Sequence, residues 1–402
     1  MTRFGGVLAL LSALAGPAAA ASPDPAELAV PPGDLSRARA LVVRLGSAAY
    51  PEREAAQLDL DKMGRLALPA LAEGLKAHPS AEVRFRCQAL LPKAAAADRQ
   101  ARLDAFLADA GGKFDHDLPG WNEFRTATAG TPAARAVFVE LLADPANRAL
   151  VLGTAGPAGD LGPAVAARKQ ELYQWRFPRT PTATRREATV ADVVALLFAE
   201  ARVPAKFVPR GVSTSVLFSA PGITAAVADP GEKGRVYKAV VVHWLDTRDD
   251  AVSMYQAINV ASNLNLKEAG GVAARLVRLK GATPFYRGQA AMTLVRLGGK
   301  EHLPALEGLL ADETVLLAIA QPGKAERVEI QLRDVALAAA LLLTGQEPEA
   351  YGFAQRYKDS GGAVRYSYSN WHVAADERAA AFEAWKAWRG KHPDFETAKP
   401  EK

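Results

Sequence analysis

Two stretches far apart in this chain are the same object written twice. Arg53 opens REAAQLDLDKMG and Arg287 opens RGQAAMTLVRLG, and in both the interval from arginine to glycine (Gly64, Gly298) is 11 residues. The letters LPAL follow each, at 68–71 and 303–306, and a further leucine stands at the same offset, Leu75 and Leu310. Proline has no amide hydrogen to lose in a first helical turn, so Pro69 and Pro304 suit the start of a helix. An arginine-led helix, a glycine stop and a second helix opening on Leu-Pro make one helical hairpin. Such a hairpin cannot bury its apolar stripe alone, so two copies predict a stacked helical array.

The rest of the chain extends this reading. Asp34 is placed as the cap of a helix carrying Leu35, Ala38, Val42 and Leu45 on one stripe. Gly46 ends that helix, and Pro51 opens its partner. The stripe of Leu68 turns at His78-Pro79-Ser80 and returns through Val83, Cys87, Leu90 and Ala94, with Arg84 31 residues after Arg53. A helix is expected over 100–110 and a surface loop over 111–120. Thr131-Pro132 starts another helix, four glycines make 153–162 a loop, and a helix follows at about 164–173. Capping boxes Thr189/Asp192 and Thr247/Asp250 open helices 190–201 and 251–264. Between them, 208–227 resists assignment, with a short β element as one reading. Thr283-Pro284 starts the second copy, Asp312 ends its LPAL helix, and 313–331 is an insertion with a strand near 327–332. Arg333 then opens a third arginine-led helix that stops at Gly345, and 375–390 is a closing helix with Trp385 and Trp388.

The fold expected is all-α: an α-solenoid of helical hairpins with an irregular helical middle and a Trp-rich capping helix. The divisions are a leader 1–21, a Pro-rich spacer 22–34, a hairpin region 35–175, a linker 176–188, a central helical region 189–280, a second hairpin region 281–350 and a C-terminal loop and cap 351–402. The leader has a basic Arg3, a short apolar run and small residues around Ala20 and Ala21, where cleavage is expected, which is the form of a signal peptide. The mature protein is therefore placed outside the cytoplasm, periplasmic or extracellular. With one cysteine, Cys87, no intramolecular disulfide can form. The 49 basic and 44 acidic side chains leave a net charge of +5 and are interspersed, which is no signature of nucleic-acid binding.

Candidate chemistry is sparse. No two of the six histidines have the spacing of metal ligands on one helix. The densest cluster, Asp115-His116-Asp117, is read as a solvated loop, with a divalent-ion site as the sharper alternative. Cys87 falls on an apolar stripe and reads as a buried thiol. Arg53, Arg84, Arg287 and Arg333 recur at equivalent positions and are assigned to hydrogen bonding with inter-helix turns or with carboxylates of the next repeat; a basic groove is the alternative. The small basic clusters Arg185-Arg186 and Arg275, Arg278, Lys280 would meet at most an envelope polyanion. Tyr366, Tyr368, Trp371, Trp385 and Trp388 read as a cap on the last repeat, or alternatively as a sugar-stacking surface.

Residues 35–95 and 284–345 resemble HEAT-like repeats, with the pattern LPAL, VR, A, L running through LPALAEGLKAHPSAEVRFRCQALL. The chain also resembles a group of exported bacterial proteins with HEAT-like ends, here in Arg333–Ala338, Leu343–Gln346 and Tyr351–Phe353, a group with no assigned reaction. The resemblance implies an aspartate before each repeat arginine. His78-Pro79-Ser80 lacks one, and the insertion parts Asp312 from Arg333, so the Asp–Arg ladder is expected to be broken. The functional expectation is a non-enzymatic scaffold for a protein partner, with no cofactor and no metal. The alternatives are a metal-assisted hydrolase at Asp115, His116 and Asp117, or carbohydrate binding by the C-terminal aromatics.

Overall fold

Helices form most of the chain, and the two repeat copies are among them. The computed structural model describes residues 22–178, 186–209, 211–219, 221–320, 327–354 and 358–395. The expected leader and its cleavage point at Ala20 and Ala21 lie outside the described residues, as does most of the Pro/Thr/Arg-rich stretch 177–186. The chain folds as two units that divide between Leu118 and Pro119, inside the region 35–175 that the sequence presents as continuous.

In the first unit α1 (Pro32–Arg44) is followed by α2 (Tyr50–Met63), α3 (Leu68–Ala77) and α4 (Ala81–Ala108). Asp34 sits inside the first turn of α1 and does not cap it, because Pro32 already supplies a helical φ two residues earlier. The close packing is α1 on α2 and α3 on α4, with α1 also on α3 and α2 on α4. The sequence repeat is therefore out of phase with the packed hairpin by one helix. The arginine-led helix ends one hairpin, and the Leu-Pro helix begins the next. Glycine and a 3-10 turn make the junction in both copies, at Gly64–Ala67 and at Lys300–His302. Gly64 takes φ +54°, where a side chain is strained, whereas Gly298 is extended at φ −82° and is needed because a Cβ would meet the Leu294 carbonyl oxygen at 2.6 Å. The predicted stripe is the core: Ala38, Val42, Leu45, Ala56, Leu60, Leu71, Val83 and Cys87 are buried together. The helix expected over 100–110 is the end of α4, which runs 28 residues straight through the exposed Pro92.

The second unit opens with α5 (Trp121–Thr128), α6 (Pro132–Leu141), α7 (Pro145–Gly153), α8 (Ala158–Arg176) and α9 (Val190–Ala201). The sequence reading has neither α5 nor α7. It also places a loop where α8 begins, since Gly159 and Gly162 lie inside that helix. Gly162 marks a close approach: a Cβ there would stand 2.1 Å from the Phe207 carbonyl oxygen. From Asp192 to Ala201, α9 is buried all round, and it packs on α6, α7, α8 and α11 (Glu232–Asp246). A helix without a polar face belongs at the centre of a unit.

Within 208–227, where the sequence alone assigns no element and a short β element is one reading, Thr214–Ser219 form a 3-10 helix and α10 (Pro221–Ala228) follows. The box before α12 (Ala251–Leu264) is made by Asp250 with Ser253. Thr247 instead terminates α11, its amide donating to His243. Then come α13 (Gly270–Arg278), α14 (Pro284–Leu297) and the five-residue α15 (Leu303–Glu307). Next are strands β1 (Val315–Ala320) and β2 (Arg327–Gln331), then α16 (Leu332–Leu343) and α17 (Arg378–Lys391). Here too the pairs are α13 on α14 and α15 on α16, with α13 on α15, α12 on α14 and α14 on α16. The insertion is an antiparallel β-hairpin whose ends meet. Arg333 donates its amide to the Asp312 carbonyl at 2.9 Å, and Leu332 donates to Thr314 at 2.9 Å.

Candidate functional site

Three of the four repeat arginines, Arg53, Arg84 and Arg287, bond back towards the turn between paired helices. Each of these sits four residues after its helix cap, so its guanidinium reaches back past the cap. Arg53 Nη1 donates to Ser47 and Ala48 at 2.8 and 3.1 Å, and Arg84 Nη1 to His78 and Pro79 at 2.7 and 2.8 Å. These carbonyls follow a helix C-terminus, where no backbone donor remains and the helix dipole is negative, so a cation is the fitting partner. Arg287 donates to Val277 in the last turn of α13 and also pairs with Asp312 at 2.7 Å. The Asp312 carboxylate therefore pairs with Arg287, which like it precedes the insertion, and not with Arg333. Arg333, two residues after its cap, turns instead to Gln331 and Glu313.

Two further members of the set went unread in the sequence. Arg148 bonds Leu142 and Ala143, and Arg235 bonds Pro230. Their signal was available: a capping residue, Asp144 or Gly231, four positions ahead of an arginine.

The Asp115-His116-Asp117 loop does not gather ligands. His116 is buried, its Nε2 3.1 Å from Asp109 Oδ2 and its ring edge-on to Phe106. Asp109 also accepts the amides of Lys113 and Phe114. Asp115 and Asp117 are exposed. So the imidazole is a loop anchor, and the solvated-loop reading holds only for its two neighbours. Among the described residues no group of three His, Cys, Asp or Glu side chains is placed to hold a metal ion. Nor is any described helix long and apolar enough to cross a membrane.

The C-terminal aromatics divide. Trp371 is fully buried, its Nε1 donating to Arg365, and Trp385 is buried in the face that α17 turns to the unit. α17 is tied down at both ends, by Arg378 to Asp334 at 2.8 and 3.0 Å and by Arg389 to Glu307 at 2.9 Å. Trp388 stacks on Trp385 and His392, and Tyr368 meets Phe285. Tyr366 remains 42% exposed. Of the small basic clusters, Arg186 lies over the Trp175 ring and Arg275 bonds the end of α11, while Arg185 is outside the described residues.

Two buried ionic networks carry no sequence signature, because their members come from separate helices. Arg168 binds Asp192 Oδ1 at 2.7 Å, and Asn147 shares that oxygen. Asp192 Oδ2 makes the predicted box with Thr189. Glu200 takes Lys169 at 2.8 Å, Thr214 at 2.7 Å and Trp244 Nε1 at 3.0 Å, with Arg248 3.9 Å away. Burial alone would raise the carboxyl pKa of Glu200, yet the charges of Lys169 and Arg248 outweigh it and hold the value below the ordinary one.

One concave site has side chains that the fold leaves uncommitted. Asn259, Ser262 and Asn263 of α12 face Gln289 and Thr293 of α14 across a cleft of about 200 Å³. Met292 joins its floor, and Arg296 and Tyr366 form its rim. Among the described residues neither the three amides nor the Arg296 guanidinium makes a side-chain hydrogen bond or ion pair. Compared with protein families, with curated proteins and with solved structures, the chain matches none.

Proposed function

We propose that this chain is an exported, non-catalytic binding protein, an α-solenoid of HEAT-like hairpins that holds a protein partner on an open helical face. The observation that carries this reading is the outer face of the α2/α4 layer. Leu58 on α2 and Phe85 on α4 are 54% and 68% exposed, each two residues from the core positions Ala56 and Val83 and so on the opposite side of its helix. Single exposed apolar residues are ordinary; two on adjacent helices of one layer make a surface a partner can cover. Arg86–Glu54 and Lys93–Asp61, at 2.9 and 2.6 Å, stitch α4 to α2. Hydrolysis at Asp115, His116 and Asp117 lacks this support, since the imidazole is buried against Asp109 and Phe106 while both carboxylates are exposed.

The test is affinity capture from an envelope extract with residues 22–402 as bait, followed by a binding titration of the captured partner. Leu58→Ser with Phe85→Ser is expected to weaken that partner roughly tenfold or more, with helicity unchanged. Equal retention by the variant, or no specific partner at all, would remove this reading.

A further inference from the structure

We propose that the α12/α14 cleft is a binding site for a small polyhydroxylated carboxylate, a sugar acid. The site is separate from the α2/α4 face, so it stands or falls independently of the scaffold reading.

The chemistry of the lining selects this class. Among the described residues Arg296 is the one charged group on the wall, with no aspartate or glutamate in the lining, so a cation finds no partner here. Its guanidinium carbon lies 5.8 Å from the centre of the Tyr366 ring. The cation lies over the ring, and among the described residues its N–H donors make no hydrogen bond, which leaves them as a donor fork that fits a carboxylate. Asn259 and Asn263 on α12 and Gln289 on α14 each offer an acceptor oxygen and two donor hydrogens, and Ser262 adds a hydroxyl. Sugar hydroxyls likewise donate and accept, so neutral amides match them without the desolvation cost of further charges. Thr293 Oγ1 donates to the Gln289 carbonyl at 2.9 Å, which leaves its lone pairs to accept from a ligand hydroxyl.

Shape narrows the choice further. At about 200 Å³ the cleft is smaller than sites for drug-sized ligands, which suits one sugar ring. Tyr366 lines the cleft and is 42% exposed, so its ring is available to pack on the C–H face of such a ring. Without ligand the amides bind water, and hydroxyls arranged like that water replace it at little cost.

The test is titration of residues 22–402 with glucuronate, with glucose and acetate as controls, by calorimetry and amide chemical shifts. Glucuronate is expected to bind at least tenfold more tightly than glucose or acetate. Arg296→Gln should weaken it roughly tenfold to a hundredfold, the range for one charge-assisted pair, and Arg296→Lys should fall between. Asn263→Ala should cost a few-fold, and Tyr366→Ala should lower affinity with unchanged thermal stability. No response to 10 mM glucuronate by a folded sample (about the weak limit of a useful site) would overturn the proposal. Binding that ignores Arg296→Gln, or equal binding of glucose, would overturn it too.

Discussion

An arginine four residues into a helix reads in a sequence as a surface charge, but here it closes the end of the preceding helix. Arg84 is half-buried and makes two bonds to carbonyls that no backbone amide can reach, while Arg235 is 65% exposed and makes one. Arg84→Ala should therefore cost about 1–2 kcal/mol, since hydrogen bonds from a charged donor lie at the upper end of the usual range. Arg235→Ala should stay within about 0.5 kcal/mol. Chemical denaturation of both variants measures the difference, and equal effects would mean that the turn does not need its cation. Cys87, in the same unit, is fully buried, and burial raises its thiol pKa, so the thiolate that reacts is scarce in the folded state. Thiol reagents should label it only as fast as the first unit opens.

At the scale of elements, the β1/β2 insertion sits on a closed junction. Its ends meet through Arg333 to Asp312 and Leu332 to Thr314, so the helices on either side do not depend on it for register. Replacing 315–330 by a short glycine turn should leave the second unit folded, at a cost of about 2 kcal/mol for the lost burial of Ile330. Circular dichroism and a melting curve read the outcome, and loss of cooperative unfolding would contradict it. Such features explain what the sequence discloses. Stripes and caps are local, so α2, α3, α9 and α14 are legible from Arg53, LPAL, Thr189 and Thr283. Glycine is ambiguous, because it serves a turn at Gly64 and a close approach inside a helix at Gly162. Phase is hidden as well, since a repeat shows its period but not which neighbours pack. The α12/α14 cleft is unreadable for the same reason: Asn259, Gln289 and Tyr366 are ordinary surface letters until two helices and a distant loop bring them together.

The whole molecule joins a unit held by one apolar spine to a unit whose centre also contains charge. All six tryptophans lie beyond residue 118 and the one cysteine lies before it, so tryptophan fluorescence reports the second unit and Cys87 labelling the first. Glu200 makes the two units respond differently to acid. Its folded pKa lies below the ordinary value of 4.5, so its ionised form stabilises the second unit above that pH. The contribution is lost as pH falls through the folded value, because protonation removes the charge that Lys169 and Arg248 need. Glu200→Gln should impose the same loss at pH 7, about 3–5 kcal/mol for a buried pair broken on one side. The unfolding midpoint read by fluorescence should drop, and its further fall between pH 5 and pH 3 should be smaller than in the wild type. Cys87 labelling should be unchanged, because Lys169, Thr214, Trp244 and Arg248 all belong to the second unit. Were labelling to accelerate in step with the fluorescence change, the two units would be one cooperative body, and a charge buried around Glu200 would be holding the hairpins of Arg53 and Arg84 as well.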